Sequence, residues 1–182
     1  MMYEALIGLV GILIGYLVSF SIERVKTKNE RGTHISKTRF DKEFEIYQEL
    51  SEKNLTAVYD AGTTAQIVSG KYVYKPEDKT AHLEKFCKSM NDADFSNKRY
   101  APFINKEIFQ KYKDLESIIK EIYKLYHVWI SEGFDEFKYY GEIFDKEKAA
   151  SVISEKQIEA SNLSDDILDT VRNYLMELDA IE

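Results

Sequence analysis

One stretch constrains this chain more than any other: Ala5 to Ile22 is an uninterrupted apolar run, and Glu23-Arg24-Val25-Lys26-Thr27-Lys28 follows at once. A helix of those residues rises about 27 Å at about 1.5 Å per residue, close to the hydrocarbon thickness of a bilayer. The reading is a transmembrane anchor over residues 1–22, a basic juxtamembrane linker over 23–37, and a body over 38–182.

Charge fixes the expected orientation. Residues 1–39 hold six basic side chains against three acidic ones, a net of +3, so a chain total of −7 leaves −10 for residues 40–182. An acidic body is a poor match for nucleic acid, whose phosphates need clustered Lys and Arg. The basic segment belongs with the membrane instead. Arg24, Lys26, Lys28 and Arg31 are the expected contacts to anionic lipid, at about 1 kcal/mol each near the surface. Basic flanks stay on the cytoplasmic side. The expected location is therefore the cell membrane, single-pass, with the N-terminus outside and the body cytoplasmic. A cleaved signal peptide fits less well. Glu4, not a basic residue, precedes the run, and Ser19-Phe20-Ser21 leads into charged residues rather than a small-x-small cleavage site. The lone Cys87 cannot form an internal disulfide.

Within the run, Gly8, Gly11, Gly15 and Ser19 are small, and Gly11-x-x-x-Gly15-x-x-x-Ser19 lines one helix face. Small faces let spans pack closely without a hydrophobic driving force. The expectation is a homo-oligomer assembled through the span.

The body reads as all-α. The whole chain has two prolines and eight glycines, three of them in the apolar run, and such scarcity of breakers favours long helices. The first helix is expected over about 38–68, with Phe40, Phe44, Tyr47, Leu50, Leu55 and Val58 as its apolar stripe. Pro76-Glu77-Asp78 starts a second, over about 77–94, burying Ala81, Leu83, Phe86, Cys87 and Met90. A loop is expected from Asn91 to Phe103. Asn105 then caps a third helix over about 106–131, and Pro102-Phe103-Ile104 forms an apolar plug before it. Gly133 to Gly141 reads as irregular. A last helix follows over about 145–178, interrupted near Ser161–Ser164. Four amphipathic helices close most simply into an antiparallel bundle. No alternation long enough for a sheet is evident.

No recognised chemistry emerges. His34, His82 and His127 fall in no metal-ligand spacing, and no Glu-x-x-His pair of the di-iron kind occurs. Asn91-Asp92-Ala93-Asp94-Phe95-Ser96 lacks the glycine and closing glutamate of a calcium loop and reads as solvated loop. His127 is expected to be a satisfied, partly buried histidine, and Cys87 a structural thiol. No catalytic residue, cofactor or metal is assigned.

Three stretches carry a resemblance: residues 37–50 (KTRFDKEFEIYQEL), 100–108 (YAPFINKEI) and 171–182 (VRNYLMELDAIE). With the short apolar N-terminus, the chain resembles a widespread set of small single-pass membrane-anchored helical proteins of low-GC Gram-positive bacteria and their mobile elements. The resemblance implies an uncleaved anchor, a helical body and a link to phage or mobile-element biology, and it brings no catalytic residues. Three functions stay open on sequence. The first is a non-enzymatic, self-associating interaction or scaffold module with a protein partner. The second is a phage-defence or exclusion factor acting on the membrane. The third is a hydrolase or transferase with a carboxylate site inside the bundle.

Overall fold

Among the described residues four helices account for the architecture, which is all-α apart from one small hairpin. The computed structural model describes residues 37–71, 74–133 and 136–179. Helix α1 covers 37–68, α2 Pro76–Tyr100, α3 Lys106–Ser131 and α4 Lys146–Asp179. A short 3-10 turn, Ala101–Phe103, links α2 to α3, and strands β1 (Phe137–Tyr139) and β2 (Glu142–Phe144) link α3 to α4. The apolar run, its glycines (Gly8, Gly11, Gly15), Ser19, the basic residues Arg24, Lys26, Lys28 and Arg31, and His34 lie outside the described residues. Among the described residues no helix is long and apolar enough to cross a membrane.

Cross-helix contacts give the directions. Glu49 meets Tyr100 and Thr64 meets His82, so α1 and α2 run antiparallel. Tyr126 bonds Lys79 and Lys120 reaches Asp94, which sets α3 against α2. Lys111 pairs with Asp166 and Lys156 with Glu121, so α4 returns along α3. Tyr174 of α4 closes on Glu43 of α1. The helices thus go up and down in chain order.

Helix α3 is the central staff. Ile108, Tyr112, Leu115, Ile119, Ile122, Leu125, Tyr126 and Trp129 are all buried at three- and four-residue spacing. Alanines at 57, 61, 93 and 160 are buried on its neighbours and admit close backbone approach. Asn105 caps α3 as its spacing predicts, its side chain accepting from Glu107 N–H at 2.8 Å. Pro76 sits in the first turn of α2 with Glu77 and Asp78 behind it.

Several expectations from sequence need correction. Helix α2 does not stop at 94; it runs to Tyr100, and Asn91–Ser96 is helical rather than loop. Its inward face explains the continuation, because Met90, Ala93, Ser96 and Asn97 are buried, and packing overrides the weak propensity of Asn and Asp. Helix α4 passes through Ser161–Ser164 unbroken, with Ser164 buried and Ser161 bonded by Gln157 at 2.9 Å. Phe44 and Leu55, assigned to the core, are 50% and 42% exposed, and Ala81 is exposed. Four helices cannot cover every apolar position of a stripe wider than the seam it faces.

The irregular segment becomes a hairpin. Phe137 pairs with Phe144 across it, and the two rings stack at 5.5 Å on the bundle. Tyr140 and Gly141 form the two-residue turn, both at positive φ (49° and 84°), the sign a type I′ hairpin demands.

Candidate functional site

The seam between α1 and α2 gathers most of the buried polar side chains among the described residues: Asn54, Asp60, Thr64, Ser89, Ser96 and Asn97. Three levels of it can be followed along α1. At the first, Asn54 and Asn97 are 2% exposed. Asn54 Nδ2 donates to Asn97 Oδ1 at 2.9 Å and to the Leu50 carbonyl at 2.8 Å. Asn97 Nδ2 donates back to Asn54 Oδ1 at 3.4 Å. A reciprocal amide pair satisfies both side chains only in one register, so it fixes how the two helices slide.

The second level is Asp60, fully buried. Lys85 Nζ donates to its Oδ1 at 2.8 Å, while Oδ2 is buried with no hydrogen-bond partner. The Lys85 side chain is 61% exposed, so its ammonium meets the carboxylate from the solvent side. That contact holds the Lys85 pKa above its ordinary value. Few buried polar atoms go unpaired in folded proteins, and an orphaned carboxylate oxygen calls for an explanation.

At the third level, Thr64 Oγ1 donates to the Asp60 carbonyl at 3.0 Å, one helical turn back. His82 Nε2 lies 3.0 Å from Thr64 Oγ1 and 3.2 Å from that carbonyl. With the hydroxyl proton on the carbonyl, both neighbours of Nε2 are acceptors, so Nε2 carries the imidazole proton. Burial pushes the His82 pKa below its ordinary 6.5, with the Asp60 charge opposing and Lys85 assisting. The ring also meets Tyr126 edge-on at 5.7 Å.

Beside Asp60 opens a cavity of about 240 Å³ lined by Lys53, Thr56 and Asp60 from α1 and by Lys85, Lys88, Ser89 and Asp92 from α2. A groove of about 690 Å³ between α1 and α4 runs past Leu55, Tyr59 and Gly62. A third cleft, about 510 Å³, brings Cys87 and His127 to the same wall with Asn91 and Tyr123. Asn91 Nδ2 contacts Cys87 Sγ at 3.5 Å. Cys87 is half-buried, and His127 is exposed rather than partly buried, its ring 6.0 Å from Tyr123. Among the described residues no cluster of three or more His, Cys, Asp or Glu is placed to hold a metal ion.

Glu43 is the other buried carboxylate among the described residues. Arg39 Nε and Tyr174 OH donate to its two oxygens, each at 2.7 Å. Tyr174 then packs edge-on against Tyr47, whose hydroxyl accepts from the Asn105 N–H at 3.0 Å. This cluster ties α1, α3 and α4 together at one end. It lies about 25 Å along α1 from Asp60 at the helical rise, so the two acids share no chemistry. Neither the Asn54–Asn97 pair nor the Asp60 level was singled out from sequence, since isolated Asn and Asp in a charged helix look like solvated face. The one available signal is register on α1: residues 50, 54, 57, 60, 61 and 64 continue its buried stripe.

No protein-family model, curated protein or solved structure matches this chain.

Proposed function

We propose that this protein is a membrane-anchored helical scaffold, held at the membrane by Ala5–Ile22 and self-associating through the Gly11/Gly15/Ser19 face, with its bundle presented to a cytoplasmic protein partner. The observation that carries this reading is the direct succession of apolar run, basic flank and α1. The first described helix begins immediately after the linker, so an anchor there would set the bundle upright, with α1 rising about 48 Å from the surface. Four residues in the linker, Arg24, Lys26, Lys28 and Arg31, would face anionic lipid and keep the body on the cytoplasmic side.

Two structural features support a binding rather than a catalytic role. The polar seam is bonded helix to helix, as a register device would be. The α1–α4 groove leaves Tyr59 70% exposed and Leu55 partly exposed beside it, an apolar face suited to a partner helix. Tethering then raises the local concentration of that partner without new contacts.

The test is extraction of native membranes at alkaline pH and high salt. The full chain is expected to stay in the pellet, while the chain with Leu9, Ile12, Leu13 and Leu17 replaced by Asn appears in the supernatant. Release of the unaltered chain by salt alone would refute the anchor.

A further inference from the structure

Helix α1 carries a second face that the bundle leaves outside. Positions 40, 44, 48, 51, 55, 59, 62 and 66 recur at 4-4-3 spacing, and none of them is charged or buried. An eleven-residue repeat of this kind keeps its residues in line along a nearly straight helix. Phe44, Leu55 and Tyr59 on it are 50%, 42% and 70% exposed, and Phe40 stacks on Phe44 at 6.3 Å. From Asn54 to Gly70 the one charged residue is Asp60, and it is buried. In a chain that is 31% charged, such a stretch of helix stands apart. At its rim are Glu52 and Lys85, the latter with Nζ 5.6 Å from the Tyr59 ring, and their charges are opposite. Gly62 adds an independent observation. A Cβ there would meet the Gln157 side-chain amide at 3.6 Å and nothing closer, and Gly62 is not among the glycines at positive φ. Nothing in the fold demands glycine at this position inside a helix, where alanine is the stronger helix former. What glycine supplies is bare backbone on an accessible face, which a second helix can approach closely.

Charge decides what covers the face. Residues 40–182 carry a net of −10, from −7 for the chain less +3 for residues 1–39. Two copies of that body repel over most of their surface, so they meet only where charge is absent. A basic partner would seek carboxylates, and the stripe has none. The tether adds a direction. Helix α1 opens at residue 37, and residues 23–36 alone separate it from the apolar run; fully extended they reach about 50 Å. Two copies anchored in one membrane therefore hold their α1 helices close together and pointing the same way. In such a parallel pair each residue of the stripe faces its own counterpart, so a charge anywhere on it would meet its like. The stripe avoids that at every position.

We propose that this stripe of α1 is the contact between the bodies of two copies, packed in parallel with Tyr59 beside Tyr59 and Gly62 beside Gly62. The partner helix of the α1–α4 groove is then α1 of the second copy. The parallel sense rests on the anchor reading; the uncharged face does not.

The test is disulfide crosslinking of the full chain in native membranes, with Cys87→Ser to remove the native thiol. Under mild oxidation Tyr59→Cys is expected to give a dimer at least fivefold above that from Glu84→Cys, an exposed residue of α2. Tyr59→Glu sets like charges face to face. It is expected to cut the dimer formed through Gln66→Cys at least fivefold, while the purified chain keeps its helical circular dichroism signal. No dimer through Tyr59→Cys, or a yield equal to that of Glu84→Cys, would overturn the proposal. So would a Gln66→Cys dimer undiminished by Tyr59→Glu, or a crosslinked product of another mass in place of the dimer. Pellet and supernatant are scored separately. A Tyr59→Cys dimer in chains that salt releases would refute the anchor and leave the contact standing, whereas pelleted chains without it would do the reverse.

Discussion

At the scale of single residues, the α1–α2 seam concentrates what this fold must satisfy. Asn54 and Asn97 bond each other reciprocally in a buried interface. Removing one amide strands the other. Asn97→Leu is therefore expected to lower unfolding stability by about 1–3 kcal/mol. The double change Asn54→Leu with Asn97→Leu should recover most of it, read as a coupling energy from urea titrations of all four chains. His82 makes a second prediction. Its folded pKa is depressed by burial, so the unfolded chain binds the proton more readily and stability rises with pH. The contribution is full above the ordinary value of 6.5 and is lost as pH falls below it. A drop in urea midpoint between about pH 7.5 and pH 5.5, much reduced in His82→Gln, is the expected result. A slope unchanged by that substitution would assign the pH dependence elsewhere.

At the scale of elements, the sequence was readable wherever one helix carries its own instructions. Asn105 and the 3.6-residue stripe from Ile108 to Trp129 place α3 almost to the residue, because cap and apolar face are both local. Pro76 does the same for the start of α2. What was not legible depends on partners. The stretch Asn91–Ser96 looks like a helix stop until Asn97 is seen bonded to Asn54, a contact 43 residues away in sequence. Ser161–Ser164 looks like a fresh cap until Ser164 is buried against the bundle. The hairpin is hidden in the sequence for another reason. Its strands have three residues each, too short for a period, and its turn places Tyr140 at φ 49°, where Asn, Asp or Gly is the usual choice. Tyr140 is 84% exposed, so burial offsets little of that strain, and its ring meets Tyr139 edge-on at 4.5 Å. Tyr140→Asn should stabilise the hairpin by about 1 kcal/mol, seen as slower amide exchange at Phe137, Tyr139 and Glu142. Unchanged or faster exchange would mean the tyrosine ring holds the turn.

At the scale of the whole molecule, the two ends of the bundle differ. The end at residue 37 is knotted by Arg39, Glu43, Tyr174, Tyr47 and Asn105, which link three helices through charged and aromatic contacts. The far end carries the hairpin. In the scaffold reading the knotted end faces the membrane and transmits the orientation of the anchor to the bundle, while the hairpin and the α1–α4 groove are held away from the surface and open to partners. Self-association ties the reading together, because a small-residue face on the anchor would set the spacing of the bundles above it. The most direct measurement is crosslinking of the full chain in native membranes, comparing the unaltered sequence with Gly11→Ile plus Gly15→Ile at matched expression. The account predicts a crosslinked oligomer that falls at least fivefold in the double variant while both chains remain membrane-bound. An oligomer of undiminished yield in that variant would contradict it.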